Sequence, residues 1–400
     1  MAATRPTILQ IIPALDTGGA ELSTVEMAAA IVASGGRALV ATQGGRLSVR
    51  VIEAGGEIIP FAAATKNPAR MMSNARALAA LVRREHVDLI HARSRAPAWS
   101  ALAAARATKR PFITTYHGAY AERGPLKRAY NSVMARGDVV IANSNYTAGL
   151  IKTRYGTPAV RIRVIHRGVD PAVFDPAVIK AERLETLRAN WRIEPQQRVM
   201  LHAARLTRWK GQGVVIDALK LLKSVSDWVC VFAGDDQGRA EYSNELRDQI
   251  AGAGLEQRVR FVGHVDDMPA AFAAATASLI ASTEPEAFGR TAIEAQMMGC
   301  PVIATNIGAP PETVLSVPAV PATQRTGWLV APADAVALAS ALQEALTLPT
   351  SERCALAERA RARAAEHFSL QSMKRATLSV YDEVLNTALA AAFEARARSE

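Results

Sequence analysis

The chain of 400 residues holds only three cysteines, Cys230, Cys300 and Cys354, far apart and with no CxxC spacing. This excludes a disulfide framework and a zinc knuckle and fits a reducing compartment. Aromatic residues are scarce, at 5%, so the cores must be layers of Leu, Val, Ile and Ala. Membrane-length apolar runs are missing too. The uncharged stretch Met268–Thr283 is rich in Ala, Thr and Ser and falls short of the about 20 apolar residues of a spanning helix. At the N-terminus, Arg5 and the apolar run Thr7–Leu15 imitate a signal peptide, but Asp16 and Glu21 stand where a cleavage site should be. A buried first strand is the better reading. The expectation is a cytoplasmic protein, at most peripheral on the inner face of the cytoplasmic membrane.

Acids are nearly missing from one region. Between Lys66 and Arg136 there are fourteen Lys and Arg against three acids, whereas the whole chain carries a net charge of only +10. The rest is therefore close to neutral. A one-sided basic region of this kind suits anionic partners.

What is present is an alternation of short apolar runs with Ala-rich helical patterns. Strands are expected at Thr7–Ile12, Arg37–Thr42, Glu57–Pro60, Leu89–His91, Phe112–Thr115, Val139–Ala142 and Arg163–His166. Apolar residues at i, i+3 and i+4 place helices between them, at Glu21–Ser34, Ala69–Arg84, Pro97–Thr108 and Thr147–Tyr155. Turn residues at Gly168–Pro171 and Asp175-Pro176 interrupt the pattern, a charged helix Val178–Trp191 follows, and alternation then resumes. Strands are expected at Val199–Ala204, Trp228–Ala233, Val259–Val262, Ala277–Ile280 and Pro301–Ala304, with a helix at Gly213–Lys223. A last helical region from Glu352 breaks near His367–Ser369. Strand–helix alternation on both sides of one interruption predicts two α/β domains, each a doubly wound parallel sheet. The expected division is residues 1–170 and 171–375, with a C-terminal helix, 376–400, crossing back to the first domain.

Four segments carry chemistry. Glu286 and Glu294 lie eight residues apart, the first in a loop containing Gly289 and the second about one turn into a helix. The backbone N–H groups of such a Gly-containing loop and helix start form a natural anion site, and a carboxylate on the helix can accept both hydroxyls of a ribose. Arg205 and Lys210 leave a strand and enter a helix at Gly211, where two cations would neutralise a diphosphate. Gly18 and Gly19, before the first helix, let backbone approach a phosphate or an acceptor. His117 closes a strand, and strand C-termini are where open α/β sheets hold ligands. His91 is a weaker candidate at another strand end. Asp235-Asp236 and Asp266-Asp267 read as turn residues, and no residue pattern calls for a metal.

These segments together closely resemble the retaining glycosyltransferases of family 4, nearly end to end. The Glu286…Glu294 spacing, the Arg205…Lys210-Gly211 segment and the Gly18-Gly19 loop each match that family's motifs. The resemblance implies a GT-B architecture, two Rossmann-like domains facing a central cleft, and transfer of a sugar from a nucleotide-diphosphate sugar. It implies Glu294 on the ribose, Arg205 and Lys210 on the diphosphate, and the amides of Phe288, Gly289 and Arg290 along sugar and diphosphate. Glu286 and His117 would face the donor sugar. A phosphate oxygen of the donor would take the acceptor proton on the same face, without metal or other cofactor.

Ala287 replaces the usual Gly, and Arg290-Thr291 replace an apolar residue and Pro. His166-Arg167 replace Pro-Asn in a segment that resembles the family's interdomain hinge, where no ligand role is expected. Phe261–Val265 resembles the loop that reads the nucleotide base through its backbone. Segments such as His91–Arg95 look like lipopolysaccharide-core transferases. The partners expected are therefore a nucleotide-diphosphate sugar and an anionic glycan or lipid-linked acceptor, with contact to anionic membrane and no nucleic acid. The rivals are a nucleotide-sugar epimerase of the same fold and a non-catalytic basic binding protein; a pyridoxal-phosphate phosphorylase lacks a suitable lysine.

Overall fold

The structure, a computed structural model, describes residues 5–16, 18–65, 67–120, 124–222 and 225–398. Lys66, where the basic region begins, and Lys223, the end of an expected helix, lie outside the described residues. The chain divides into two compact units, Met1–Gly168 with Gln371–Glu400, and Val169–Leu370.

The first unit is built on seven parallel strands among the described residues. They are β1 Thr7–Ile11, β2 Arg37–Thr42, β3 Glu57–Pro60, β4 Leu89–Ala92, β5 Phe112–Tyr116, β6 Val139–Ala142 and β7 Ile162–Val164, in the order β3-β2-β1-β4-β5-β6-β7. Every residue of β1, β4, β5 and β6 is buried. Such strands read as continuous apolar runs because helices cover both faces of the sheet. The second unit repeats the plan with six strands, β8 Arg198–Ala203, β9 Trp228–Ala233, β10 Val259–Gly263, β11 Ala277–Ile280, β12 Val302–Thr305 and β13 Gly327–Val330. Their order is β10-β9-β8-β11-β12-β13. Both sheets reverse direction of winding once, between β1 and β4 and between β8 and β11, and such switch points are where open sheets receive ligands.

The expected fold class is the observed one. Strand β13 and the short helices Ser48–Glu53, Pro125–Asn131 and Pro310–Thr313 were not anticipated. The C-terminal region breaks at Phe368-Ser369, between helices Thr350–His367 and Leu370–Leu385. Ser369 bridges to Val169 there. The later helix is fastened into the first unit: the Tyr381 hydroxyl bonds His91 Nδ1 at 2.7 Å, and Arg163 pairs with Glu383 at 2.6 Å. His91 Nε2 meets Thr115 Oγ1 at 2.7 Å. Both ring nitrogens are thus engaged in the core, and His91 is a strut rather than a site residue.

Candidate active site

In the second unit, the two sequence motifs meet. The chain leaves β8 through Arg205 and enters a single helical turn, Arg208–Lys210, before Gly211. Gly211 sits at φ 77°, and a Cβ there would overlap the Ala281 carbonyl oxygen at the end of β11. Thr283 N–H then donates to Trp209 O at 2.8 Å. This close approach brings the Lys210 ammonium onto Glu286 Oε1, which also accepts from Ser282 Oγ at 2.6 Å. The Lys210 and Glu286 side chains are only 18% and 10% exposed. His202 steadies the loop from below, its Nε2 2.9 Å from Lys210 O. Burial pushes the His202 imidazole down to about 4, so near neutral pH it is an uncharged donor.

Glu294 lies on the helix Arg290–Met297, whose N-cap is Gly289. It accepts from Arg290 Nε at 2.8 Å, one turn back. The Phe288 ring is buried against Phe368, with centroids 6.0 Å apart, and so anchors the loop between the two glutamates in the core. Arg205 is exposed and reaches Gln237 Oε1 at 3.4 Å. Asp236 and Asp267 behave as the turn residues expected: Asp236 accepts from Gly238 N–H at 2.9 Å, and Asp267 caps Met268–Ala274. Among the described residues no three of His, Cys, Asp and Glu gather as a metal-binding group.

In the first unit, Gly18 and Gly19 open the helix Gly19–Ala33 and His117 follows β5. The segment expected to be a hinge without a ligand role does more. Arg167 is buried, and its Nη2 donates to His117 Nδ1 at 2.7 Å. A guanidinium cannot accept, so the imidazole proton must sit on Nε2. That nitrogen is shielded from solvent and has no partner among the described residues. Burial, and then the Arg167 charge, hold the His117 pKa well below the usual 6.5. His117 is therefore a neutral hydrogen-bond donor through Nε2, with its other nitrogen occupied. Gly19 makes room for this pair, since a Cβ there would overlap Arg167 Nη1.

Sequence reasoning missed Arg167, Arg93, Arg95 and Ser282. Arg93 and Arg95 follow β4, and the strand-end rule that singled out His91 would have reached them two and four residues later.

The description of Glycosyltransferase Family 4 fits residues 17–173 and that of Glycosyl transferases group 1 fits residues 184–363. A crystal structure of a glycosyltransferase from Rickettsia africae ESF-5 is 34% identical, with a TM-score of 0.87 over 96% of this chain and 100% of that one. The chain is a family-4 glycosyltransferase. Its two sheets are those of the GT-B fold. The glycosyltransferase is also similar to the lipopolysaccharide core biosynthesis mannosyltransferase LpsB of Rhizobium meliloti (strain 1021), 29% identical over 256 residues, 63% of this chain and 68% of that protein. Anabaena Alr3699/HepE, crystallised in complex with UDP-glucose, is 26% identical, with a TM-score of 0.80 over 94% of this chain and 99% of the other.

Proposed function

We propose that this glycosyltransferase moves one sugar, with retention, from a nucleotide-diphosphate sugar to a glycan or lipid-linked acceptor of the bacterial lipopolysaccharide or cell envelope. The observation that carries the reading is the pairing of Lys210 with Glu286 and of Arg290 with Glu294 at the switch point of the second sheet. Each pair offers a cation to a phosphate and a carboxylate to sugar hydroxyls. Glu294 is assigned to the ribose, Lys210 and Arg205 to the diphosphate, and Glu286 to the transferred sugar. The backbone of Phe288, Gly289 and Arg290 follows the diphosphate at a helix start. In the first unit, Gly18 and Gly19 offer backbone and His117 a neutral Nε2–H donor to sugar or phosphate oxygens. A donor phosphate oxygen takes the acceptor proton on the face the leaving group vacates, and the protein's own cations, not a metal, stabilise the departing diphosphate. The similarity to LpsB supports the lipopolysaccharide setting, and the HepE complex supports a nucleotide-sugar donor.

The basic region supports an anionic acceptor surface. Arg83-Arg84, Lys109-Arg110 and Lys127-Arg128 are exposed, and Leu126, beside the last pair, is 86% exposed. No helix of the described residues is long and apolar enough to cross a membrane, so contact would be peripheral.

The test is a thermal-shift panel of UDP-, GDP- and ADP-sugars in EDTA, because a ligand stabilises only the state that binds it. One nucleotide class should raise Tm with the chelator present. If no nucleotide sugar does so, the donor assignment fails. If binding appears only after Mn²⁺ or Mg²⁺ is restored, the metal-free mechanism fails.

A further inference from the structure

Beside His117 the first unit contains a cavity of about 220 Å³, lined by Glu21, Arg93, Ser94, Arg95, His117 and Tyr120 among its residues. Arg93 is 3% exposed. Its Nε and Nη2 both donate to the amide oxygen of Gln10, at 2.8 and 2.5 Å, and its Nη1 reaches Thr115 Oγ1 at 3.5 Å. Among the described residues no carboxylate lies within ion-pair distance of this guanidinium. The buried Glu26 acts on it only from farther off, so a cation hydrogen-bonded to neutral acceptors alone recovers only part of the cost of leaving water. Arg95 is similar: its Nη1 donates to Asn131 Oδ1 at 2.8 Å and its guanidinium lies 4.0 Å from the Tyr120 ring centre. The tyrosine ring and the asparagine fix where the charge points without neutralising it.

Two helices begin at the same cavity. Gly19–Ala33 and Arg95–Thr108 start at Gly18 and Ser94, and neither N-cap residue makes a side-chain capping bond. Their first-turn N–H groups add partial positive charge. His117 also lines the cavity, and its solvent-shielded Nε2 has no partner among the described residues. Glu21, already engaged within the fold, is the one carboxylate in the lining. Two guanidiniums and two helix starts beside one carboxylate describe a host for an oxyanion carried on a polyol.

We propose that this cavity binds an acidic sugar of the acceptor, with Arg93 and Arg95 on a phosphate or carboxylate. The inference rests on the glycosyltransferase reading only for calling the ligand the acceptor; the anion site stands on Arg93 and Arg95 alone. It also gives Arg93 and Arg95 a specificity role that the donor assignment does not contain.

Isothermal titration of the full chain at low ionic strength tests it, with a hexose 6-phosphate, a hexuronate and the neutral hexose as probes. At least one acid should bind about tenfold or more tightly than the neutral sugar, and the better acid tells phosphate from carboxylate. Arg95→Gln, a substitution at a half-buried position that should not disturb folding, should weaken that binding about tenfold, since a charge-assisted bond is lost. Arg93→Gln should do the same if it folds. Lys210→Ala should leave acid binding unchanged, and Arg95→Gln should leave nucleotide-sugar binding unchanged. Acid binding that vanishes in Lys210→Ala yet survives Arg95→Gln would place the anion in the diphosphate site and overturn the proposal. Failure of both acids to outbind the neutral hexose overturns it equally. If no nucleotide sugar binds the wild type while Arg95 still controls the acids, the donor reading fails and the anion site remains.

Discussion

In the second unit each half-buried cation of the candidate site faces a carboxylate, Lys210 on Glu286 and Arg290 on Glu294. In the first unit Arg93 faces the neutral amide of Gln10, and Arg95 an asparagine and a tyrosine ring. Both arrangements keep a positive group out of water, but they answer a ligand differently. A paired site is internally compensated when empty and can exchange one partner for another as a phosphate arrives and later leaves. A cation hydrogen-bonded to neutral partners, with Glu26 acting on Arg93 only from farther off, is left under-compensated and gains from an incoming anion. The first pattern suits a product that must be released at every turnover, and the second suits recognition.

The largest effects should come from the paired site. Lys210→Ala and Glu294→Ala should each cost about ten- to hundredfold in affinity for the donor that the panel selects, since a buried charge-assisted contact contributes roughly 1.5–3 kcal/mol. Calorimetric titration measures this, and unchanged affinity in both variants would remove the site assignment. Should Arg95→Gln lower donor affinity as far, the contrast between the units collapses.

Next comes the Arg167–His117 pair. Gly19→Ala should push the guanidinium off His117 Nδ1 and lower kcat about tenfold, consistent with loss of one oriented hydrogen bond. Loss of the Arg167 charge removes the second of the two main causes that lower the His117 pKa, burial being the first, so any acid limb of the pH–rate profile should move to higher pH. Arg167→Ala should match it. A Gly19→Ala enzyme with wild-type kcat and profile would show that the pair has no part in turnover.

A smaller effect is expected at the surface. Co-sedimentation with phosphatidylglycerol vesicles should fall steeply with salt and by about fivefold for each cation lost in Lys127→Glu and Arg128→Glu, from about 1 kcal/mol per basic residue. Indifference to anionic vesicles at low ionic strength would reduce the basic region to ordinary solvated charge.

The least effect concerns acid. Three imidazoles, the buried His91 and half-buried His117 in the first unit and the buried His202 in the second, have pKa values lowered chiefly by desolvation. The unfolded chain, titrating near 6.5, therefore takes up protons that the folded chain refuses. Their contribution is complete above about pH 6.5 and is lost as the pH falls, for His202 until about 4. Hydrogen exchange between pH 7 and pH 5, corrected for intrinsic rate, should show protection declining more in the first unit, which holds two of the three. Equal decline in both would mean that these histidines do not set the acid response.

Nearly all of the strands were legible, because a parallel sheet covered on both faces writes its buried strands as unbroken apolar runs. Strand β13 escaped because it is a four-residue edge strand paired only with β12, with Gly327 at its start. The motifs around Lys210 and Glu286 were legible separately from strand-to-helix turns and spacing. Their meeting was not, because it depends on Gly211 packing against the Ala281 carbonyl, a contact across 70 residues that no local pattern records. Arg167 was misread for the same reason: its place beside His117 is set 50 residues away in sequence. Arg93 hid for another reason, since a lone arginine after a strand carries no mark of whether an acid or an amide will face it.

The return of the last residues to the first unit has a consequence for synthesis. Residues 169–370 form a contiguous unit, whereas the first unit lacks its final helices until Gln371 and beyond have been made. On a ribosome adding about 5–20 residues per second, the N-terminal sheet waits about ten to forty seconds for Tyr381 to reach His91. During that interval the later-made unit can close first, and the earlier-made one must persist with an uncovered face. A released chain truncated after Leu370 should therefore hold a folded C-terminal half behind an N-terminal half that still recruits chaperones.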